Sequence, residues 1–201
     1  ALCDATGATQ TPPAHVVEPA QRDSPKGPLS LEHLATLISR AIPQDGIIVD
    51  ESITSGRAFS PATKGAAPHT WLNNCGGSIG YGMPAAIGAA VACPDRKVMS
   101  LTGDGSAMYT NQALWTMARE NLDVTVLIFA NRSYQILRGE LTNVGVQNAG
   151  PRAMDMLTLD RPTLDWVQMA HSMGVTAHRV STCEDLEAAL EEGLGSGKAN
   201  L

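Results

Sequence analysis

The feature that most constrains the fold of this sequence is a repeated alternation between helical patterns and short apolar runs. Apolar residues recur at helical spacing over 31–42, after Ser30, a residue suited to a helix N-cap, and Pro43 ends the pattern. Residues 47–49 are apolar and β-branched throughout, which is typical of a strand buried on both faces. The alternation continues with helices predicted over 80–92, 110–120, 164–172 and 183–191, and strands over 97–102, 124–130 and 175–180. It predicts an α/β fold with a doubly wound, mostly parallel sheet flanked by helices.

The composition fits a globular domain and argues against several other classes of protein. The chain has 201 residues, of which 43% are hydrophobic and 17% charged, so it can bury one sizeable core. The net charge is −6, and no run of Lys and Arg could follow a phosphate backbone, so we expect no nucleic-acid partner. The longest apolar stretches, 85–93 and 124–130, are about half the roughly 20 residues of a membrane-spanning helix, so we expect no membrane span.

The two ends of the chain and its cysteines give further expectations. Five of the twelve prolines lie between Pro12 and Pro28 in a stretch without apolar periodicity, which predicts a disordered linker over 1–28 and a domain over 29–201. The last helical pattern is not followed by the further strand that this fold usually has, so we expect the domain to be truncated at its C-terminus. Four cysteines without C-x-x-C spacing, and no apolar leader at the start, predict a cytoplasmic setting.

A Gly-Asp-Gly-Ser motif at residues 103–106 follows one of the predicted strands. The glycines permit a tight turn with amides aimed at an anion, and Asp104 supplies a hard oxygen for a divalent cation. Asn131 lies 27 residues further on, at the end of the next strand, and one βα unit of about 30 residues returns to the same sheet edge. This spacing predicts a magnesium and diphosphate site. The alternative is an ordinary turn and a common strand-terminating Asn.

These residues resemble the thiamine diphosphate-dependent enzymes, whose cofactor motif is Gly-Asp-Gly followed at a set interval by Asn-Asn. Residues 74–88 and 131–141 are similar to acetolactate synthases and benzoylformate decarboxylases. The resemblance covers residues 30–201, identifies the diphosphate-binding domain of such an enzyme, and implies thiamine diphosphate and Mg²⁺ as cofactors.

The resemblance also implies a role for individual residues. Asp104, the side chain of Asn131 and the backbone carbonyl of Ser133 would hold the metal. The diphosphate would contact residues from two loops, namely Thr54, Gly103, Gly105 and Ser106.

Two residues upstream would contact the organic part of the cofactor. The carbonyl of Gly77 would accept a hydrogen bond from the aminopyrimidine. Ile79 would lie under the cofactor and hold it bent, which makes proton removal from the thiazolium intramolecular. The alternative for Ile79 is an ordinary core residue.

Three positions depart from the family pattern or invite a mistaken interpretation. Ala130 occupies the first position of the Asn-Asn pair, which should alter the hydrogen bonding around the loop without removing a metal ligand. Ile53 stands where the resemblance suggests a hydroxyl, which puts that part of the anion site in doubt. Glu51 lies in the phosphate loop and is not the family's catalytic glutamate, so no catalytic residue is predicted in this chain. His69, Asn73, Asn74, Ile136 and Glu140 are substrate-side candidates that a solvated loop explains equally well.

The resemblance implies the cofactor-anchoring domain of an acetolactate synthase-like 2-keto acid decarboxylase or carboligase. Such a domain would need a separate pyrimidine-binding domain, which supplies a glutamate, and would be inactive without it. The partners would be a small 2-keto acid and further copies of the enzyme, in a homodimer or homotetramer. Two alternatives are a non-catalytic module that keeps the fold for assembly or regulation, and a separate subunit of a split decarboxylase.

Overall fold

The structure, a computed structural model, describes Gly7 and residues 23–201. Most of the predicted linker over 1–28 therefore lies outside the described residues. Its described end packs against the last helix, where Cys183 N donates a hydrogen bond to Gly27 O at 2.8 Å and Ser24 Oγ donates one to Glu187 at 2.7 Å.

The described part of the chain alternates between helices and strands as the sequence predicts. Its strands are β1 (Ile47–Glu51), β2 (Thr70–Asn73), β3 (Val98–Gly103) and β4 (Val124–Phe129). Its helices are α1 (Leu31–Ala41), α2 (Phe59–Ala62), α3 (Gly82–Ala92), α4 (Asp104–Ala107), α5 (Ala113–Arg119), α6 (Gln135–Asn143), α7 (Pro151–Met156), α8 (Trp166–Ser172) and α9 (Cys183–Gly195).

Short polar side chains begin three of the helices. The N-cap Ser30 of α1 accepts a hydrogen bond from His33 N at 3.1 Å, which confirms the predicted helix start. Asp165 and Thr182 cap α8 and α9 in the same way.

The four strands form one parallel sheet in the order β2-β1-β3-β4. The chain moves from β1 outward to β2 on one side, then returns to place β3 on the other side of β1. This reversal makes the gap between the carboxyl ends of β1 and β3 a topological switch point, where ligands bind in open α/β sheets. The predicted doubly wound fold is confirmed.

Helices cover both faces of the sheet, so its central strands are buried. On one face Val49 packs in a cluster with Met83 of α3 and Leu114 of α5. On the other face Ile48 packs in a cluster with Ile38 of α1. The alternation of side chains along β1 divides the apolar run between two cores.

The prediction of a regular strand over 175–180 is wrong. Only Thr176 pairs there, in an isolated parallel bridge with Asn200. The chain after α9 runs between this segment and the outer edge of β4, because Asn200 N donates to Val124 O at 3.1 Å and Leu201 N donates to Thr176 O at 2.9 Å. Because only one residue pairs, most of the segment 175–180 lies outside a β-ladder.

Other departures from the predictions are smaller. The helix predicted from residue 80 begins at Gly82, because Gly80 has a left-handed φ of 82°. The helix predicted from residue 110 begins at Ala113. Strand β2 has no sequence signal, since its four residues are exposed or half-buried at the edge of the sheet. Within the described residues, no helix is both long and apolar enough to cross a bilayer.

We expect Gly82→Ala to destabilise the fold by about 1–3 kcal/mol, because overpacking a tight contact costs that much. A Cβ on Gly82 would lie 2.7 Å from Thr102 Oγ1 and 3.0 Å from Glu51 Oε2. Urea unfolding of the purified chain measures the change.

The matched control is Gly88→Ala in the same helix, where a Cβ would meet nothing within 4 Å. It should be stabilising by about 0.5–1 kcal/mol, the usual gain of Ala over Gly inside a helix. Equal unfolding midpoints for the two variants would contradict this account of Gly82.

Candidate functional site

A cavity of about 270 Å³ opens at the switch point of the sheet. Its walls come from residues 51–55 at and after the end of β1, residues 74–79 before α3, residues 103–106 at the end of β3 and the start of α4, and residues 131–136 after β4. All nine predicted site residues line this cavity: Thr54, Gly77, Ile79, Gly103, Asp104, Gly105, Ser106, Asn131 and Ser133. The structure therefore brings together residues spread over 80 positions of sequence.

Asp104 is the polar centre of the cavity and is only 3% exposed. Its Oδ1 accepts a hydrogen bond from Gly105 N at 2.9 Å, and its Oδ2 accepts one from Arg132 N at 2.6 Å. Burial raises the pKa of the Asp104 carboxyl, and the hydrogen bonds from Arg132 and Gly105 partly oppose that shift. The second bond joins the loop after β3 to the loop after β4, as the predicted convergence requires.

Asn131 and Ser133 occupy the loop after β4. Asn131 Oδ1 accepts a hydrogen bond from Ser133 N at 2.9 Å, and Ser133 Oγ donates one to Leu157 O at 3.2 Å. Arg132 between them has a left-handed φ of 56°, which sharpens the turn. A carboxylate, an amide oxygen and a backbone carbonyl are hard oxygen donors of the kind that Mg²⁺ prefers. The residues present therefore fit a magnesium ion.

Three further residues that line the cavity carry hydroxyl groups: Thr54, Ser55 and Ser106. Thr54 is half-buried, whereas Ser55 and Ser106 are buried. These three side chains make no hydrogen bond within residues 23–201, so their hydroxyls are free to bind an anion. Sequence reasoning identified Thr54 and Ser106 and missed Ser55, although Ser55 is the adjacent residue in the same loop.

Ile53 also lines the cavity, and its backbone is strained. Its φ of 51° lies in the left-handed region, which a β-branched residue adopts at a cost of about 1–3 kcal/mol. The turn around it is held by Asp50, whose Oδ1 accepts hydrogen bonds from Ser52 N at 2.9 Å and Ser52 Oγ at 2.5 Å. The loop thus has a defined backbone path, although residue 53 has no hydroxyl.

Glu51 has a structural position in the site. It is 1% exposed, its Oε1 accepts a hydrogen bond from Gly80 N and its Oε2 one from Gly82 N, both at 2.6 Å. The carboxylate therefore ties the end of β1 to the start of α3. This arrangement supports the interpretation that Glu51 is not a catalytic acid.

The loop before α3 carries Gly77 and Ile79 to the mouth of the cavity. Gly77 has a left-handed φ of 69°, and Asn74 folds the loop by hydrogen bonding to both the N–H and the carbonyl of Ser78. Ile79 is 47% exposed at the cavity, so the alternative of an ordinary core residue is wrong for it.

Tyr134 also lines the cavity and has no role in the sequence-based prediction. Its ring packs on Gly105, where a Cβ would lie only 2.7 Å from Tyr134 Cε1. Burial raises the pKa of the Tyr134 phenol. An aromatic residue directly after the predicted metal loop was the available signal.

The other substrate-side candidates divide into two groups. Asn74 and Ile136 line the cavity, whereas His69, Asn73 and Glu140 do not.

A larger groove of about 540 Å³ follows the outer edge of β4 and meets the site only near Ser55, Asp104 and Asn131. Its walls are largely apolar side chains of β4, α1 and α9. The free hydroxyls and the metal-ligand candidates lie in the smaller cavity, so we place the chemistry there.

A parallel sheet with a cavity around a buried carboxylate at its switch point defines this chain as an α/β ligand-binding domain built from βα loops. The family model described as "Thiamine pyrophosphate enzyme, C-terminal TPP binding domain" matches residues 52–201, and the chain belongs to this family. The predicted family and its cofactor, thiamine diphosphate, are confirmed. The roles of the individual site residues remain predictions.

Similar proteins include decarboxylases and acetolactate synthases. The chain is 52% identical over 167 residues to the "Putative acetolactate synthase large subunit IlvX" of Mycobacterium tuberculosis, covering 83% of this chain and 32% of that protein. It is 34% identical over 175 residues to the benzoylformate decarboxylase of Pseudomonas aeruginosa, covering 87% and 32%.

A solved structure shows the same fold. The thiamine diphosphate-dependent 4-hydroxybenzoylformate decarboxylase of Rhodococcus jostii RHA1 superposes with a TM-score of 0.76 at 30% identity, covering 95% of this chain and 34% of that one. The chain thus spans about a third of the length of the relatives that it matches.

We expect Glu51→Ala to destabilise the chain by about 2–4 kcal/mol, because it leaves two buried N–H groups without an acceptor. Glu51→Gln should cost less, since the amide oxygen still serves one of them. Guanidinium unfolding measures both variants.

The control is Glu191→Ala, which removes an exposed glutamate from α9 and should change the free energy of unfolding by less than about 0.5 kcal/mol. If Glu51→Ala unfolds at the same denaturant concentration as this control, the carboxylate does not have the structural role that we assign to it.

Proposed function

We propose that this chain anchors thiamine diphosphate and Mg²⁺ in a 2-keto acid decarboxylase or carboligase resembling acetolactate synthase. One observation carries the proposal: the buried carboxylate of Asp104 accepts a hydrogen bond from Arg132, between Asn131 and Ser133, so all three metal-ligand candidates meet in one cavity. The names of the similar proteins support a 2-keto acid as the substrate class.

In the proposed site, Asp104, the Asn131 side chain and the Ser133 carbonyl hold the metal. The ion supplies positive charge that offsets the diphosphate. The side-chain oxygens of Asp104 and Asn131 are positioned in advance by the hydrogen bonds that they accept from Gly105 N, Arg132 N and Ser133 N, so little conformational entropy is lost on binding.

The hydroxyls of Thr54 and Ser106 bind the diphosphate, together with the backbone of Gly103 and Gly105. Ser55 adds a third hydroxyl to the same cavity. These groups would replace water around the anion.

Gly77 and Ile79 orient the organic part of the cofactor. The carbonyl of Gly77 accepts a hydrogen bond from the aminopyrimidine. The exposed side chain of Ile79 would support the organic part of the cofactor from below, and the bound cofactor would supply the proton-transfer chemistry.

The remaining parts of the proposal concern the whole protein. A pyrimidine-binding domain supplies the glutamate that starts the reaction, and this chain is inactive without it. The enzyme works in the cytoplasm as a homodimer or homotetramer, and it acts on a 2-keto acid as a decarboxylase or carboligase.

Asp104→Asn should weaken Mg²⁺-dependent binding of thiamine diphosphate by about 100-fold or more, since losing a ligand costs at least as much as losing an outer contact. Titration calorimetry on the intact protein measures the affinity. The matched control is Asp95→Asn, at an exposed position before β3, which should leave the affinity unchanged. Equal affinities for the two variants would favour the non-catalytic module instead.

In the full-length enzyme, Ile79→Ala should lower kcat for a 2-keto acid such as pyruvate or benzoylformate by about 10–100-fold, because a misplaced reacting group costs that much. Its free energy of unfolding should change by less than about 1 kcal/mol, since the side chain is half exposed. Val91→Ala, at an exposed position of α3, controls for loss of a surface methyl pair. A loss of stability without a loss of kcat would indicate a packing role.

A further inference from the structure

Helices α6 and α7 form a peripheral unit directly after the proposed metal loop. Neither helix contains a buried residue, in contrast to α1, α3 and α5. The unit therefore gains little from apolar packing. It is attached to the site through the segment 157–159, which follows α7.

This segment pairs with the metal loop through two backbone hydrogen bonds. Tyr134 N donates to Leu157 O at 3.0 Å, and Leu159 N donates to Arg132 O at 2.8 Å. The two bonds flank the antiparallel bridge between Ser133 and Thr158. In such a pair, the N–H and carbonyl of the bridged residue point away from the partner segment.

The pairing therefore decides where the Ser133 carbonyl points. Its N–H is used by Asn131 Oδ1 on the side away from segment 157–159. No donor within residues 23–201 hydrogen-bonds to the Ser133 carbonyl, and Ser133 lines the cavity. The carbonyl stays available to a cation only while segment 157–159 remains paired.

Arg138 of α6 holds that segment from the other side. Its Nη2 donates to Thr158 Oγ1 at 2.8 Å, and Thr158 Oγ1 in turn donates to Met154 O at 2.9 Å. This chain of bonds joins α6, the paired segment and the end of α7.

The guanidinium of Arg138 has one buried nitrogen without a hydrogen-bond partner in the described part of the chain, which lowers the stability of the fold. Its Nε is buried without a hydrogen-bond partner among the described residues. An unsatisfied buried donor destabilises a fold, and more so when it is charged.

We propose that Arg138 is a positioning residue: through Thr158 it keeps segment 157–159 paired with the metal loop and so directs the Ser133 carbonyl into the cavity. This inference rests on the proposed function, because it assigns the orientation of one proposed metal ligand. Arg138 itself does not line the cavity.

The test uses Arg138→Met and Thr158→Val in the intact protein. Each should raise the half-saturating Mg²⁺ concentration for thiamine diphosphate binding by about 10-fold, the usual cost of losing an outer contact. The double variant should be no worse than the more affected single variant, because both remove the same link. Arg152→Met, an exposed arginine on α7, is the matched control and should leave the half-saturating concentration unchanged.

Two further measurements separate positioning from general stability. Hydrogen exchange without ligand should be faster at the amides of Tyr134 and Leu159 in Arg138→Met, while amides of β1 and β3 keep their protection. The unfolding midpoint should stay within error of the parent. If Mg²⁺ affinity falls only in proportion to the midpoint, or does not fall, the inference is overturned.

Asp104→Asn distinguishes a failure of the proposed function from a failure of the role assigned to Arg138. If it abolishes binding while Arg138→Met has no effect, the proposed function stands and the role of Arg138 is wrong. If Asp104→Asn also binds Mg²⁺ and thiamine diphosphate normally, both are wrong.

Discussion

The site depends first on the buried carboxylate of Glu51. A charge with 1% exposure is stable only if its oxygens are hydrogen-bonded, and the amides of Gly80 and Gly82 supply both bonds. In return, the end of β1 and the start of α3 are held at a fixed separation, which leaves no room for a Cβ on Gly82. The loop that carries Ile79 and the loop that carries Thr54 are thereby positioned against each other before any ligand binds.

The second constraint is the convergence of the loops after β3 and β4 on Asp104. Burial of its carboxyl favours the protonated form, while the amides of Gly105 and Arg132 favour the charged form. The site thus keeps a carboxylate in a place where water solvates it poorly and backbone N–H groups take over part of that solvation. A divalent cation would complete the compensation. This is how a rigid parallel sheet can present a hard anionic ligand on short loops.

The sequence was sufficient for the core and for the loops that follow buried strands. The apolar runs of β1, β3 and β4 read directly as a parallel sheet, and the 27 residues from Asp104 to Asn131 match one βα repeat. The edge strand β2 was not predicted, and a strand over 175–180 was predicted wrongly. In both segments the secondary structure depends on pairing with distant residues rather than on the local sequence pattern. Ser55 and Tyr134 were missed for a related reason: proximity to the cavity comes from the turn geometry, which residue type alone does not give.

The packing of Tyr134 on Gly105 has a consequence for how this site can change in evolution. One position belongs to the loop after β3 and the other to the loop after β4, yet the ring occupies the space that a side chain at 105 would need. A larger residue at 105 would require the ring of Tyr134 to move or to be replaced by a smaller side chain. The two positions therefore constrain each other: which residues are tolerated at 105 depends on the residue at 134.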